Sequence, residues 1–309
     1  VKNTVRVLGA LATLALALSV PSVDSSAATI SHEHMCIVSL SPTATETLYA
    51  LGAGQNVEAV DDDSNYPTTG LPTTRIDAFD PSAEQIASIC AVTPTHPTTA
   101  PDLVVIAYDA NSVAEQLDAL GIKVVQQAAP STLDGAYNQI TALGSDTGHA
   151  KRAAAIVAGL RRTISADVAS VAAHPHKRLT AYYELDPTLY SLTSSTFVGS
   201  LLASLGVVNI ADAVDSPTDD GYPQLSAEYL VSASPKLVFL ADTKCCHVNA
   251  ANFARRTAFS TISAVVHHHV AGLDDDIASR WGPRIGILMN DLTRGVRSTL
   301  ADPKVWKKG

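Results

Sequence analysis

The chain is poor in what nucleic-acid binding and most catalysis require. Its 21 Lys and Arg are outnumbered by 30 Asp and Glu, for a formal net charge of -9, so no basic stripe is present to displace counterions from a phosphate backbone. The one dense basic run, Lys304 to Lys308, reads as a solvated tail. There is no G-x-S-x-G elbow, no P-loop, no G-x-G-x-x-G and no H-E-x-x-H. Gly144-Ser145-Asp146-Thr147-Gly148 is a turn before a helix, and Asp274-Asp275-Asp276 reads as a solvated loop or helix cap. A secreted hydrolase, the reading from outside transport, is thus left without a nucleophile or an acid–base pair. Charged residues make up only 17% and aromatics 5%, against 46% apolar residues, which describes a folded chain with a sizeable core.

Long apolar runs are scarce as well. The uncharged apolar run Val7 to Val20 is too short to span a bilayer comfortably. It follows Lys2 and Arg6 and precedes Ser25-Ser26-Ala27-Ala28, so residues 1–28 read as a signal peptide of an exported, periplasmic or cell-surface protein. No cysteine follows closely, so a lipid-anchored N-terminus is not indicated. Four cysteines invite disulfides in such a compartment. Cys36, at the head of an apolar run, reads as a small buried residue. Cys245 and Cys246 can pair with each other, or one of them with Cys90; a metal site of Cys and His around His247 is a further option. The other histidines, His32, His34, His174, His176 and the run His267-His268-His269, would have to converge with carboxylates to bind zinc or manganese.

What is present is a regular alternation around one long helix. From Gly148 to Ala173 the apolar side chains of Ile156, Leu160, Ile164, Val168 and Val171 recur every three or four residues. The helix must end by His174-Pro175. Before it, strands are expected at residues 36–40, 57–60, 103–107 and 122–125, with helices from Thr43 to Leu51, Pro81 to Ile89, Ser112 to Leu120 and Thr132 to Leu143. Thr43 to Glu46 reads as a capping box. After it come strands at residues 179–183, 207–210 and 237–240 and helices capped by Thr196 and Ser226, closed by a helix from Arg284 to Leu300. The fold class is α/β: two lobes with parallel-rich sheets joined by one long helix. Residues 36–147 form the N-terminal lobe, 148–174 the connecting helix and 177–302 the C-terminal lobe. An internal echo supports this. Ser82-Ala83-Glu84 and Ser226-Ala227-Glu228 each open a helix that precedes a Pro-x-Leu-Val strand start, at Pro101 and at Pro235. The first copy carries an extra Thr/Pro-rich segment, Cys90 to Ala100, expected as an exposed loop.

Ile37-Val38-Ser39-Leu40-Ser41-Pro42 with Thr45-Glu46 and Leu51-Gly52, then Asn65-Tyr66-Pro67, Pro101-Asp102-Leu103-Val104, Tyr222-Pro223-Gln224-Leu225-Ser226, and Arg280 with Gly282-Pro283-Arg284 occur in order. This set resembles the substrate-binding proteins of ABC importers for cobalamin, ferric siderophores or haem. The resemblance implies two Rossmann-like lobes with the ligand between them, no cofactor, no catalysis, a monomer, and delivery to a permease dimer with its ATPase. It places permease docking on Glu84 and Glu228; two carboxylates at one place in a repeated unit also suit a two-fold pair of basic partners. Ligand contacts are expected from loops at the carboxyl ends of strands. There Tyr66, Tyr108, Tyr190 and Tyr222 are placed to stack on a macrocycle or catecholate. Arg280 is placed to meet an anionic oxygen, and Trp281 to report occupancy. At Ala78 the cobalamin-binding relatives carry a large aromatic, a departure that leaves the ligand open. A zinc or manganese transport protein is the alternative within transport.

Overall fold

The protein's structure, a computed structural model, describes residues 35–94, 96–173 and 178–306. The signal-like segment, His32, His34, His174, His176 and the final lysine pair lie outside the described residues. In chain order the N-terminal lobe contains β1 (Ile37–Leu40), α1 (Pro42–Leu51), β2 (Val57–Asp61), β3 (Arg75–Ile76), α2 (Ala83–Ile86), β4 (Leu103–Ile106), α3 (Val113–Ala119), β5 (Val124–Gln126) and α4 (Leu133–Asp146). Its strands pair in the order β3-β2-β1-β4-β5, each pair parallel. The long helix α5 (Ala150–Ala172) leads to β6 (Leu179–Glu184), α6 (Phe197–Ser204), β7 (Val207–Asn209), α7 (Ala227–Ala233), β8 (Leu237–Leu240), α8 (Ala250–Ala254), α9 (Ser263–Val266), β9 (Val270–Gly272), α10 (Asp275–Ala278) and α11 (Ile285–Ala301). The second sheet, β7-β6-β8-β9, is again parallel throughout. The two parallel-sheet α/β lobes expected from the alternation are present.

The strands are apolar at nearly every position because helices cover both faces. β1, β4 and β8 are buried along their whole length. Period two then sorts the side chains. Ile37 faces one apolar cluster with Leu103 and Val105, while Val38 and Leu40 face the opposite one with Val104, Ile106 and Ile86. The first of these clusters does not stop at the lobe. It runs through Ile140 of α4 and Leu160 and Ile164 of α5 to Leu288 of α11 and Phe239 of β8. The connecting helix is therefore built into a core common to both lobes.

Local chemistry shifts several boundaries. The cap of α1 is Ser41, whose Oγ accepts from the Ala44 amide at 3.2 Å with Pro42 in the first turn. Glu46 is thereby freed from the capping box that its spacing suggested. The Gly144 to Asp146 stretch, expected to introduce the long helix, forms the last turn of α4, and α5 begins at Ala150 without a side-chain cap. The two helices meet closely at that bend: a Cβ on Gly144 would sit 2.4 Å from the Ala153 Cβ. Gly144→Val is expected to lower stability by about 2–3 kcal/mol through overpacking. Gly159→Ala, where a Cβ meets nothing within 4 Å, should raise it by about 1 kcal/mol. Urea unfolding of the pair checks both signs.

Cys36 does not stand alone as a small buried residue. It is joined to Cys90, tying the head of β1 to the segment after α2, so Cys90 is not a partner for Cys245 or Cys246, which pair with each other. The Thr/Pro-rich insertion after Cys90 is exposed at Ala91–Pro94 but anchored beyond, where His96 is buried between the Thr98 carbonyl (2.8 Å) and the Asp102 carboxylate (3.2 Å). α2 is shorter than expected, and β5 starts two residues later than the apolar run at Ile122. No helix among the described residues is long and apolar enough to cross a membrane.

Candidate functional site in the cleft between the lobes

The carboxyl ends of the strands carry the aromatic rings. Tyr66 lies in the loop after β2, Tyr108 two residues past β4, Tyr190 after β6 and Tyr222 after β7, and all four are exposed. Tyr190 and Tyr222 are brought together by a short antiparallel bridge, Tyr190 to Gln224, and by the Ser191 amide donating to the Pro223 carbonyl at 3.0 Å. Tyr222 lines a cavity of about 490 Å³ that also takes in Pro130 and Ser131 of the N-terminal lobe and Ser195 and Asp220 of the C-terminal lobe. Burial, then Asp220, pushes its phenol above the ordinary value. A fifth ring was not foreseen. Phe79, just past β3, is 75% exposed, more than Tyr108 at 68%. It adjoins Ala78, which is half-buried against the core.

Arg280 is placed differently from the expected anionic ligand contact. It is 7% exposed, and its guanidinium donates to Glu46 Oε1 (2.7 Å), Asn65 Oδ1 (2.9 Å), the Asp63 carbonyl (3.0 Å) and Asp276 Oδ1 (3.1 Å). Arg284 joins from the same side, with Nε 2.9 Å from Glu46 Oε2 and Nη2 on Oε1. It also lies 4.2 Å from the centre of the Tyr66 ring. Asn65 Nδ2 donates to Asp276 Oδ1 at 3.1 Å. Glu46, Asp63 and Asn65 belong to the N-terminal lobe, whereas Asp276, Arg280 and Arg284 belong to the C-terminal lobe. The group is thus a clamp across the lobe boundary. Trp281 adds to it, its Nε1 donating to Gln139 Oε1 of α4 at 2.7 Å. Burial raises the Asp276 carboxyl, but Lys244, Asn65 and Arg280 outweigh it and hold the group below the ordinary carboxylate range. The acidic run is therefore structural: Asp274 caps α10, Asp275 accepts from the loop after β8 and Asp276 belongs to the clamp.

Glu84 and Glu228 occupy matching places. Each is exposed in the first turn of its helix, behind a serine whose Oγ accepts from the amide three residues on, Gln85 at 3.2 Å and Tyr229 at 3.1 Å. The Glu84 amide and the Ser82 hydroxyl, at 3.0 Å, hold its carboxyl below the ordinary value. Among the described residues no group of three or more His, Cys, Asp and Glu comes close enough to hold a metal. His269 instead meets Asp302 at 3.2 Å.

Comparison with known proteins follows the same architecture. A family profile described as periplasmic binding protein matches residues 37–277. An uncharacterized ABC transporter substrate-binding lipoprotein of Bacillus subtilis is 27% identical over 83% of this chain and 78% of its own length. A cobalamin-binding protein of Halobacterium salinarum is 30% identical over 71% of this chain and 57% of its own length; of that relative the chain spans little more than half. The periplasmic heme-binding protein RhuT from Roseiflexus superposes with a TM-score of 0.72, at 23% identity, over 86% of this chain and 99% of that one, a likeness of fold. These relatives are substrate-binding proteins rather than enzymes. The chain belongs to the periplasmic binding protein family.

Proposed function

We propose that the protein is the exported solute-binding component of an ABC importer, that it holds a corrinoid in the cleft between its lobes, and that it presents this ligand to a permease dimer through Glu84 and Glu228. The observation that carries the ligand class is the charge state of the rim. Five exposed aromatic rings stand at the strand ends, and most of the cations there are already engaged, the exposed Arg255 apart. Arg280 and Arg284 hold Glu46, Lys244 holds Asp274 and Asp276, Arg256 holds Glu184, and Arg75 donates to the Asp61 and Ser64 carbonyls. Asp62, Asp63, Asp77, Asp80, Asp109, Asp186 and Asp220 follow the same strands. Haem propionates or a ferric catecholate would enter predominantly acidic surroundings with few free counter-charges, which is costly once water is excluded. A corrinoid, with its neutral amide fringe and broad face, stacks on aromatic rings without needing one. The name of the Halobacterium relative agrees.

The test is an equilibrium titration of the mature protein with cyanocobalamin, haemin and a ferric catecholate, followed through Trp281 in a Trp306→Phe background. Cyanocobalamin is expected to bind at least about tenfold more tightly than either anion. Equal or tighter binding of haemin or the catecholate overturns the ligand assignment. For docking, Glu84→Lys with Glu228→Lys is expected to abolish transport into vesicles holding the permease while leaving affinity within about twofold. Persistent transport by the double variant would remove both residues from the permease contact.

A further inference from the structure

The loop after β8 carries a feature that ligand capture does not use. Cys245 and Cys246 are adjacent, exposed and joined to each other, whereas Cys36 and Cys90 are joined but buried. The amides of Thr243, Lys244 and Cys245 all donate to the Asp275 carboxylate, at 2.8, 2.9 and 2.9 Å, and the Thr243 hydroxyl does so at 2.8 Å. The Lys244 ammonium bonds Asp274 at 2.7 Å and Asp276 at 2.8 Å. Asp276 in turn accepts from Arg280 and from Asn65 of the other lobe. An unbroken run of contacts therefore leads from the two sulfurs to the clamp across the lobe boundary.

Bonding neighbouring cysteines closes a small ring around their shared peptide and removes backbone freedom from both residues. Those residues abut the three amides that Asp275 collects. Opening the ring returns that freedom to the loop at the place where it is latched, and a looser latch leaves Lys244 and Asp276 less firmly placed against Arg280 and Asn65.

We propose that Cys245–Cys246 is a reversible redox site whose state sets how firmly the two lobes are clamped. Its reductant is a dithiol. One thiolate attacks a sulfur of the pair and releases the other as a thiolate. The second thiol then closes the reductant's own disulfide, and two electrons and two protons end on Cys245 and Cys246. An exported setting forms the bond, and exposure leaves it open to thiol attack. The effect on ligand retention rests on the cleft assignment above; the effect on the latch does not.

The native mature protein is treated with dithiothreitol, alkylated without unfolding and mapped by mass spectrometry, and backbone hydrogen exchange is followed in parallel. Alkylation at Cys245 and Cys246, with Cys36 and Cys90 protected, is the expected outcome. The amides of 243–245 should then exchange at least about tenfold faster, as they should in a Cys245→Ser, Cys246→Ser variant without reductant. Cyanocobalamin should leave the reduced protein about fivefold faster or more. Failure of the pair to alkylate, or alkylation with unchanged exchange, overturns the proposal. Absence of cyanocobalamin binding in either state overturns the ligand reading alone, since exchange decides the latch.

Discussion

Glu46→Ala is expected to remove about 3–5 kcal/mol of stability, the cost of leaving buried charge without its partner. The Glu46 side chain is 1% exposed, and it pairs with both Arg280, at 6%, and Arg284, at 15%. Truncating it leaves two guanidinium groups of the C-terminal lobe at the lobe boundary without their shared carboxylate, with only Asp276 and neutral oxygens near Arg280. A fall in the thermal midpoint of about 10 °C should follow. In an Arg284→Leu background the same truncation should cost at least about 1 kcal/mol less, because one of the stranded charges is already gone. A single-variant loss below about 1 kcal/mol would show that water enters the boundary and screens the arginines.

Asp242→Asn is expected to do the reverse and stabilise the protein at alkaline pH. Asp242 is fully buried, and neither of its carboxylate oxygens receives a hydrogen bond from a donor. Burial first, and then the neighbouring Glu184, push its pKa from 3.8 up to about 7. Glu184 is itself held by Arg256 through two bonds, at 2.7 and 2.8 Å, and by the Tyr182 hydroxyl at 3.2 Å. The folded protein thus keeps a proton on Asp242 across a window, about pH 4 to 7, in which the unfolded chain has lost it. Folded protein binds more protons there, so stability falls as pH rises through the window. The loss amounts to about 4 kcal/mol by pH 8. Asparagine is neutral at every pH and its amide can donate to Glu184. The variant should therefore gain about 2–3 kcal/mol at pH 8, little at pH 5, and show a flatter profile in denaturant unfolding between them. An unchanged slope would place the titration elsewhere.

Legibility in the sequence followed the range of the interaction. The strands at Ile37, Leu103 and Leu237 were readable because burial on both faces demands continuous apolar runs, and the tyrosines because they follow such runs. Phe79 was missed because β3 is only two residues long and leaves no apolar run to mark the strand end before it. Thr43 to Glu46 has the spacing of a capping box, and nothing local distinguishes that from a buried glutamate with partners 234 and 238 residues away. Arg280 was picked out by its motif, but the partner that defines its environment lies in the other lobe. Cys36 and Cys90 pair across 54 residues because the end of α2 returns to the head of β1, a meeting set by sheet order and not by composition.

The clamp also has a consequence for the order in which the chain becomes complete. Glu46 lies near the start of the described fold and Arg280 near its end, so closing that contact must wait until the 234 residues that separate them have been supplied. Until then the first lobe carries a carboxylate in a site shaped to exclude water, with no cation to meet it. The N-terminal half can acquire its sheet early, yet its final free energy is conferred by a segment far along the chain, which ties completion of the first lobe to the arrival of the turn that leads into α11.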